Sequence, residues 1–536
     1  MLRPRSIARR ALLAAIVMGC GLSTVASAGP ALAGTRPSAV VVTDKGALRG
    51  TVSQDGRAFR QIPFAAPPIG DLRWRPPQPA AAWTGVRDAT TLGPMCAQDD
   101  FPLLGQPRIT TEDCLYLNVY TPADRGSRQH QRRPVLVHLH GGAYANGSGN
   151  GFDGAALARH GAVVVTINYR LGAFGFLGHS ALSGEDRQAK SGNYGLLDQL
   201  AALRWVRTNA KAFGGDARRV TVFGISSGGE SVCALLTSPQ AAGLFSRAIV
   251  QSGPCHLVTS PLTRVEAIGA SFASRAGCDR QADVPACLRT QSAAAVLDTV
   301  RGMPELGGRS QIWAPTTATP VLPVSPLAAI AAGSYHRVPV MIGTVLDEGT
   351  VLTMVATEGV PLNAASYDRL MAGWFGADVP TVQARYPLAN YDGNYGSTLS
   401  AILGDWLVIC PDASLRRSLA ATTRTYAYEF ADRTAPNLYA VEPDFPLGAY
   451  HGGELPYLAP NATLPLSGAQ ARLSRQMLTY WTTFAATGNP NRWGSRPWDR
   501  FTTKKPIVQN LDTGAVAGRN DFEARHHCGF WAELTS

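Results

Sequence analysis

The stretch Val220-Thr221-Val222-Phe223-Gly224-Ile225-Ser226-Ser227-Gly228-Gly229 decides how the rest of the chain is read. Its first four residues are β-branched or aromatic, the pattern of a buried strand. It closes on Gly-x-Ser-x-Gly, and the residues from Glu230 to Leu236 that follow are compatible with a helix. Strand, tight turn and helix are the setting in which this motif becomes a nucleophile elbow. Gly224 and Gly228 lack a Cβ, so the chain can reverse sharply with Ser226 at the apex. The next backbone N–H, that of Ser227, then points at the same spot.

Outward from this stretch the pattern repeats. An apolar strand at 134–140 runs into Gly141-Gly142-Ala143, and a second follows at 162–167. Leu196, Leu197, Leu200, Leu203 and Val206 recur at helical spacing within 193–213, and Gly214-Gly215 stops the run. Further strands are expected at 248–250, 338–343, 424–431 and 507–509, with a helix at 470–485. Short β runs among Pro- and Gly-rich loops precede them, at 40–42, 48–52 and 115–120. Strands alternating with helices indicate an α/β fold, a mostly parallel sheet with helices on both faces. Reactive groups in such sheets sit at the carboxyl ends of strands, where both Gly141-Gly142 and Ser226 fall.

A serine hydroxyl needs a base to take its proton and a third group to orient that base. His451, His526 and His527 lie late enough in the chain to be the base. His451 sits in a Gly-flanked loop that permits an exposed imidazole, whereas His526 and His527 lie in a polar tail, so His451 is favoured. Asp347 and Glu348 both follow a strand end, where the acid belongs. Local pattern does not separate them and leans to Asp347, Asp being the commoner acid. Gly141-Gly142-Ala143, directly after a strand, resembles the glycine motif whose N–H groups form an oxyanion hole.

The chain has 536 residues, 45% hydrophobic and 16% charged, with ample core-forming material. Length alone suggests several domains, but no linker, charge block or internal repeat divides it. Arg3, Arg5, Arg9 and Arg10 precede an apolar run at 11–18 and small residues beyond, so residues 1–28 read as a secretory signal peptide, with cleavage as late as 33. A secreted protein is expected; lipid anchoring at Cys20 is the alternative. No later segment has about 18 unbroken apolar residues, so no transmembrane helix is expected. Removing the four arginines of residues 1–28 takes the net charge from +11 to +7, mild for this length, and nucleic-acid binding has little support. Eight cysteines remain after processing, an even number that suggests disulfides in an exported chain. No spacing matches a zinc site, and Cys-x-x-Cys is absent.

Taken together, the phrases at 62–79, 112–120, 135–144, 166–177, 193–215, 220–237 and 243–253 resemble the type-B carboxylesterase/lipase family, which includes cholinesterases and bacterial para-nitrobenzyl esterases. The resemblance covers nearly the whole mature chain. It implies one α/β-hydrolase domain over 38–534, acting on a small-molecule ester without metal or cofactor. The segment 343–349 looks like the family block whose Glu orients the histidine, which prefers Glu348 over Asp347. His451 in His-Gly-Gly-Glu matches the catalytic histidine position. The implied oxyanion donors are Gly142, Ala143 and Ser227. The implied disulfides are Cys96–Cys114, Cys278–Cys287 and Cys410–Cys528; Cys233 and Cys255 are left over and expected to pair. Arg73 with Glu112, and Arg170 with Asp198, look like structural family salt bridges.

Departures from the family pattern bear on substrate. Ile225 stands where a Glu is common before the nucleophile, and the loop between Cys96 and Cys114 has no tryptophan. Both disfavour a cationic ester, which needs a cation–π partner. Ala318-Thr319 replaces a common Asp-Gly turn. The expectation is a secreted serine carboxylesterase working through an acyl-enzyme. The alternatives are a lipase or polyester hydrolase of the same fold, or a non-catalytic binding protein.

Overall fold

Parallel strands buried on both faces read as nearly continuous apolar runs, and the centre of this molecule is built from them. The computed structural model describes residues 40–123, 132–255, 259–303 and 313–534. In chain order its strands are β1 (Val40–Val42), β2 (Ala47–Arg49), β3 (Thr51–Val52), β4 (Gly56–Pro63), β5 (Val86–Asp88), β6 (Tyr116–Pro122), β7 (Arg133–Leu139) and β8 (Val163–Ile167). There follow β9 (Gly215–Ile225), β10 (Arg247–Gln251), β11 (Ser260–Pro261), β12 (Thr316–Thr317), β13 (Val340–Val345), β14 (Thr425–Phe430), β15 (Val508–Leu511) and β16 (Ala517–Arg519).

Eleven of these form one sheet in the order β16-β15-β14-β13-β10-β9-β7-β8-β6-β4-β3. The run from β8 through β7, β9, β10, β13 and β14 to β15 is parallel. The flanking strands β6, β4, β3 and β16 pair antiparallel. Alternation sends Val220, Val222, Val250 and Ile342 into one core and Phe223, Ile249, Met341 and Tyr428 into another on the opposite face. The expected strand at 48–52 is split into β2 and β3 at Gly50, where a Cβ would lie 2.5 Å from the Ala58 carbonyl oxygen. At Ala318 the chain takes a positive φ of 58°, the conformation that a Gly would adopt at less cost.

Two buried ion pairs tie the outer loops to this frame. Arg170 grips Asp198 with Nε at 2.8 Å and Nη2 at 2.7 Å, and both side chains are buried. Arg73 makes the same fork with Glu112. Removing one partner of such a pair strands the other charge and costs about 3–5 kcal/mol. Disulfides join Cys96–Cys114, Cys233–Cys255, Cys278–Cys287 and Cys410–Cys528. Among the described residues, one helical run, Tyr395–Thr422, is long and apolar enough to cross a membrane, and it is mostly buried in the protein core.

Candidate active site

β9 ends at Ile225 and the helix Ser227–Thr237 begins two residues later, leaving Ser226 alone at the turn with φ 56° and ψ −128°. A non-glycine residue there carries a strain of order 1–3 kcal/mol that its surroundings must hold. They do so through two glycines: a Cβ on Gly224 would fall 2.4 Å from the Gly228 oxygen, and one on Gly228 would fall 2.1 Å from the Leu139 oxygen. The Ser226 N–H is held by the Gln251 carbonyl at 2.9 Å, on the neighbouring strand β10. Ser227 occupies the first position of its helix, where a backbone N–H has no intrahelical acceptor.

The loop after β7 is pressed against this turn. A Cβ on Gly141 would stand 2.9 Å from the Ile225 oxygen and 3.0 Å from Ser226 Cβ. Gly142, Ala143 and Tyr144 all have positive φ, 109°, 55° and 57°. The N–H groups of Ala145 and Asn146 both donate to the Gly142 carbonyl, at 3.0 and 2.9 Å, which closes the loop on itself. Among the described residues no acceptor meets the N–H of Gly142 or Ala143. His140 anchors the base of the loop: its ring stacks on Tyr169 at 4.3 Å, and its carbonyl accepts the Tyr169 hydroxyl at 2.8 Å. Burial pushes the His140 imidazole down to about 4, so it stays neutral there.

Across the sheet edge, Glu348 follows β13 and is fully buried. Its Oε1 accepts the Val345 N–H at 2.9 Å, and its Oε2 lies 2.6 Å from His451 Nδ1. Burial opposes a charge on His451, but the Glu348 carboxylate and its hydrogen bond outweigh that, and Glu454 adds to them, so the imidazole is held above its ordinary value. Asp347 faces away. Arg433 grips it at 2.9 and 2.8 Å, and its Oδ2 also accepts the Ala449 N–H at 2.8 Å, two residues before His451. The residue favoured by local pattern thus anchors the histidine loop, and its neighbour meets the histidine. Ile225 packs under that loop, its Cδ1 3.9 Å from where a Gly452 Cβ would stand.

His526 is not in an exposed polar tail. It is buried, with Nδ1 2.6 Å from Asp405 and Nε2 2.8 Å from Glu429, so both ring nitrogens are engaged by carboxylates. The disulfide from Cys410 to Cys528 ties the C-terminal segment to the helix Cys410–Thr422 and so brings His526 inward. His527 lies beside it with its ring 5.2 Å from that of Tyr386.

Two site residues escape a reading of the sequence. Glu454, three residues after His451, is fully buried; its Oε1 accepts from Gln251 Nε2 at 3.3 Å. Burial, and then the Glu348 charge, push its carboxyl up to about 7. Tyr439 donates its hydroxyl to the His451 carbonyl at 3.2 Å. The carboxylate in His-Gly-Gly-Glu was visible, but nothing local tells that it is buried. Among the described residues no group of three His, Cys, Asp or Glu side chains is arranged to hold a metal ion.

A parallel sheet carrying a serine on a strand-to-helix turn, with a buried Glu–His pair at the end of a neighbouring strand, defines an α/β-hydrolase. A model of the carboxylesterase family matches residues 37–531. The chain belongs to that family and is a carboxylic ester hydrolase. It is 34% identical to a fumonisin B1 esterase of Sphingopyxis macrogoltabida, over 88% of this chain and 86% of the relative. It is also 34% identical to liver carboxylesterase 1 of Oryctolagus cuniculus, over 96% of this chain and 97% of the relative. Among solved structures it is similar to a PNB esterase, with a TM-score of 0.76 and 32% identity, over 91% of this chain and 98% of that one.

Proposed function

We propose that this is a secreted serine carboxylesterase in which Ser226 attacks the ester carbonyl, His451 takes the serine proton, and Glu348 holds the imidazole. The N–H groups of Gly142, Ala143 and Ser227 receive the oxyanion of the tetrahedral intermediate; one such donor is typically worth about 3–4 kcal/mol. His451 then passes its proton to the leaving alcohol, an acyl-enzyme forms, and a water activated by the same imidazole hydrolyses it. The observation that carries this reading is the 2.6 Å contact from Glu348 to His451 at the sheet edge where β9 delivers Ser226. Glu348 leaves Nε2 of His451 as the free nitrogen, the one a serine base uses.

The substrate class is a non-cationic carboxylic ester. Ile225 puts an apolar side chain beside the nucleophile where a carboxylate would attract a cation. Relatives named fumonisin B1 esterase and PNB esterase accord with ester hydrolysis. Export is supported by the Arg-then-apolar N-terminus and by four disulfides, which persist in oxidising compartments. Residues 1–28 are the export signal and 38–534 the hydrolase domain. The test is turnover of p-nitrophenyl acetate by Ser226→Ala and His451→Ala: both fall by several orders of magnitude with circular dichroism unchanged, and wild-type rates in either overturn the assignment.

A further inference from the structure

The sheet edge opposite Ser226 and Glu348 is formed by the starts of β7, β9, β10, β13 and β14, and the fold gathers arginines there from distant parts of the sequence. Arg219 donates Nη2 to the Arg132 carbonyl. Arg247 donates to the Ala486 carbonyl at 3.3 Å, and its Nε lies 3.4 Å from where a Gly488 Cβ would stand. Arg500 reaches the Thr423 carbonyl at 3.4 Å, and Phe501 bridges to Thr425 at the start of β14. Arg132, Arg218, Arg424, Arg492, Arg496 and Arg500 are all exposed along this edge. The acids near them are engaged: Asp216 by Arg218 and Arg219, Asp499 by Lys505. Burial first, and then the Arg219 charge, hold Arg247 below its ordinary value, against the opposing pull of Asp216.

At this edge a turn projects Trp493, which is 99% exposed. The turn is built: Ser495 N–H donates to the Arg492 carbonyl at 3.1 Å, and Arg492 N–H donates to Ser495 Oγ at 3.1 Å. Asn491 clamps its base with bonds of 2.8 and 2.7 Å to the backbone of Trp498, itself buried. The indole is therefore held out between two exposed arginines on a fixed stem.

We propose that this edge is a docking surface for an anionic phospholipid bilayer, with Trp493 entering the headgroup layer and the arginines facing the lipid phosphates. Tryptophan is favoured at the membrane–water boundary because its ring is apolar and its N–H polar. Each nearby arginine strengthens adsorption to an anionic leaflet about fivefold. A nucleic acid would ask for a groove in which bases stack, whereas the Trp493 ring is exposed on all sides. Docked this way, the enzyme turns its strand carboxyl ends, and hence Ser226, toward solvent, where soluble esters reach it.

The test is co-sedimentation of the purified enzyme with vesicles of phosphatidylcholine alone or with a third phosphatidylglycerol, at low salt. Binding to the anionic vesicles is expected to exceed binding to neutral ones by about tenfold or more. Arg492→Glu with Arg496→Glu lowers it by about 25-fold or more, two arginines at about fivefold each, and Trp493→Ala lowers it severalfold. Hydrolysis of p-nitrophenyl acetate stays unchanged in all three proteins, which reports an intact fold. No preference for anionic vesicles overturns the proposal. So does binding that Trp493→Ala leaves intact, and so does retention on heparin beads without retention by vesicles.

Discussion

Glu348 Oε2 lies 2.6 Å from His451 Nδ1, while Asp347 beside it is turned away and held by Arg433. Two adjacent acids at one strand end are thus separated into an orienting role and an anchoring role. Glu348→Gln is expected to lower kcat by about a thousandfold or more, the scale seen when a triad acid is made neutral. Asp347→Asn, which weakens a partly exposed ion pair, is expected to lower kcat by less than about tenfold and to act mainly on stability. Steady-state kinetics of the two variants, side by side, checks the division of roles.

The same contact sets a pH dependence. The base must be neutral to accept the serine proton, and His451 is held above the ordinary imidazole value. The acidic limb of kcat/KM therefore lies above about pH 6.5. In Glu348→Gln the larger raising charge and its hydrogen bond are gone, burial remains and only Glu454 opposes it, so the limb moves to lower pH. A pH profile of the residual activity reads the shift.

Gly141 has no room for a side chain against Ser226 and the Ile225 carbonyl. Gly141→Ala must displace either the elbow or the donor loop. Loss of alignment of one oxyanion donor costs about a hundredfold or more in kcat, with a smaller change in KM. Kinetics with p-nitrophenyl acetate, alongside a melting curve to show that the fold survives, checks this.

His526 carries a stability signature separate from catalysis. Burial disfavours its charge, but Asp405 and Glu429 together raise it to about 9. A folded-state value raised above the unfolded one contributes stability that is fully present below about pH 6.5 and is lost as pH rises through about 9. The loss is worth on the order of 3 kcal/mol. Urea unfolding at pH 6.5 and pH 10 is expected to show this loss, and His526→Gln is expected to flatten it.

What was legible in the sequence is what is local. The elbow needs five consecutive residues, and the donor loop needs two glycines after an apolar strand, so both stand out without any long-range knowledge. Asp347 and Glu348 do not separate in this way, because the choice is made by Arg433, 86 residues away. His526 reads as part of a polar tail because its partners Asp405 and Glu429 lie 121 and 97 residues earlier. Glu454 was in view beside His451, yet its burial follows from Gln251, 203 residues earlier, and from the sheet between them. The arginines of the opposite edge look dispersed in the sequence and become a surface only when the strand starts align.

The most direct test of the account is the site of covalent modification by a fluorophosphonate. The account predicts one adduct per chain, complete loss of esterase activity, and the adduct on the peptide that contains Ser226, with no adduct on Ser226→Ala. An adduct on another serine, or labelling of Ser226→Ala at the wild-type rate, contradicts it.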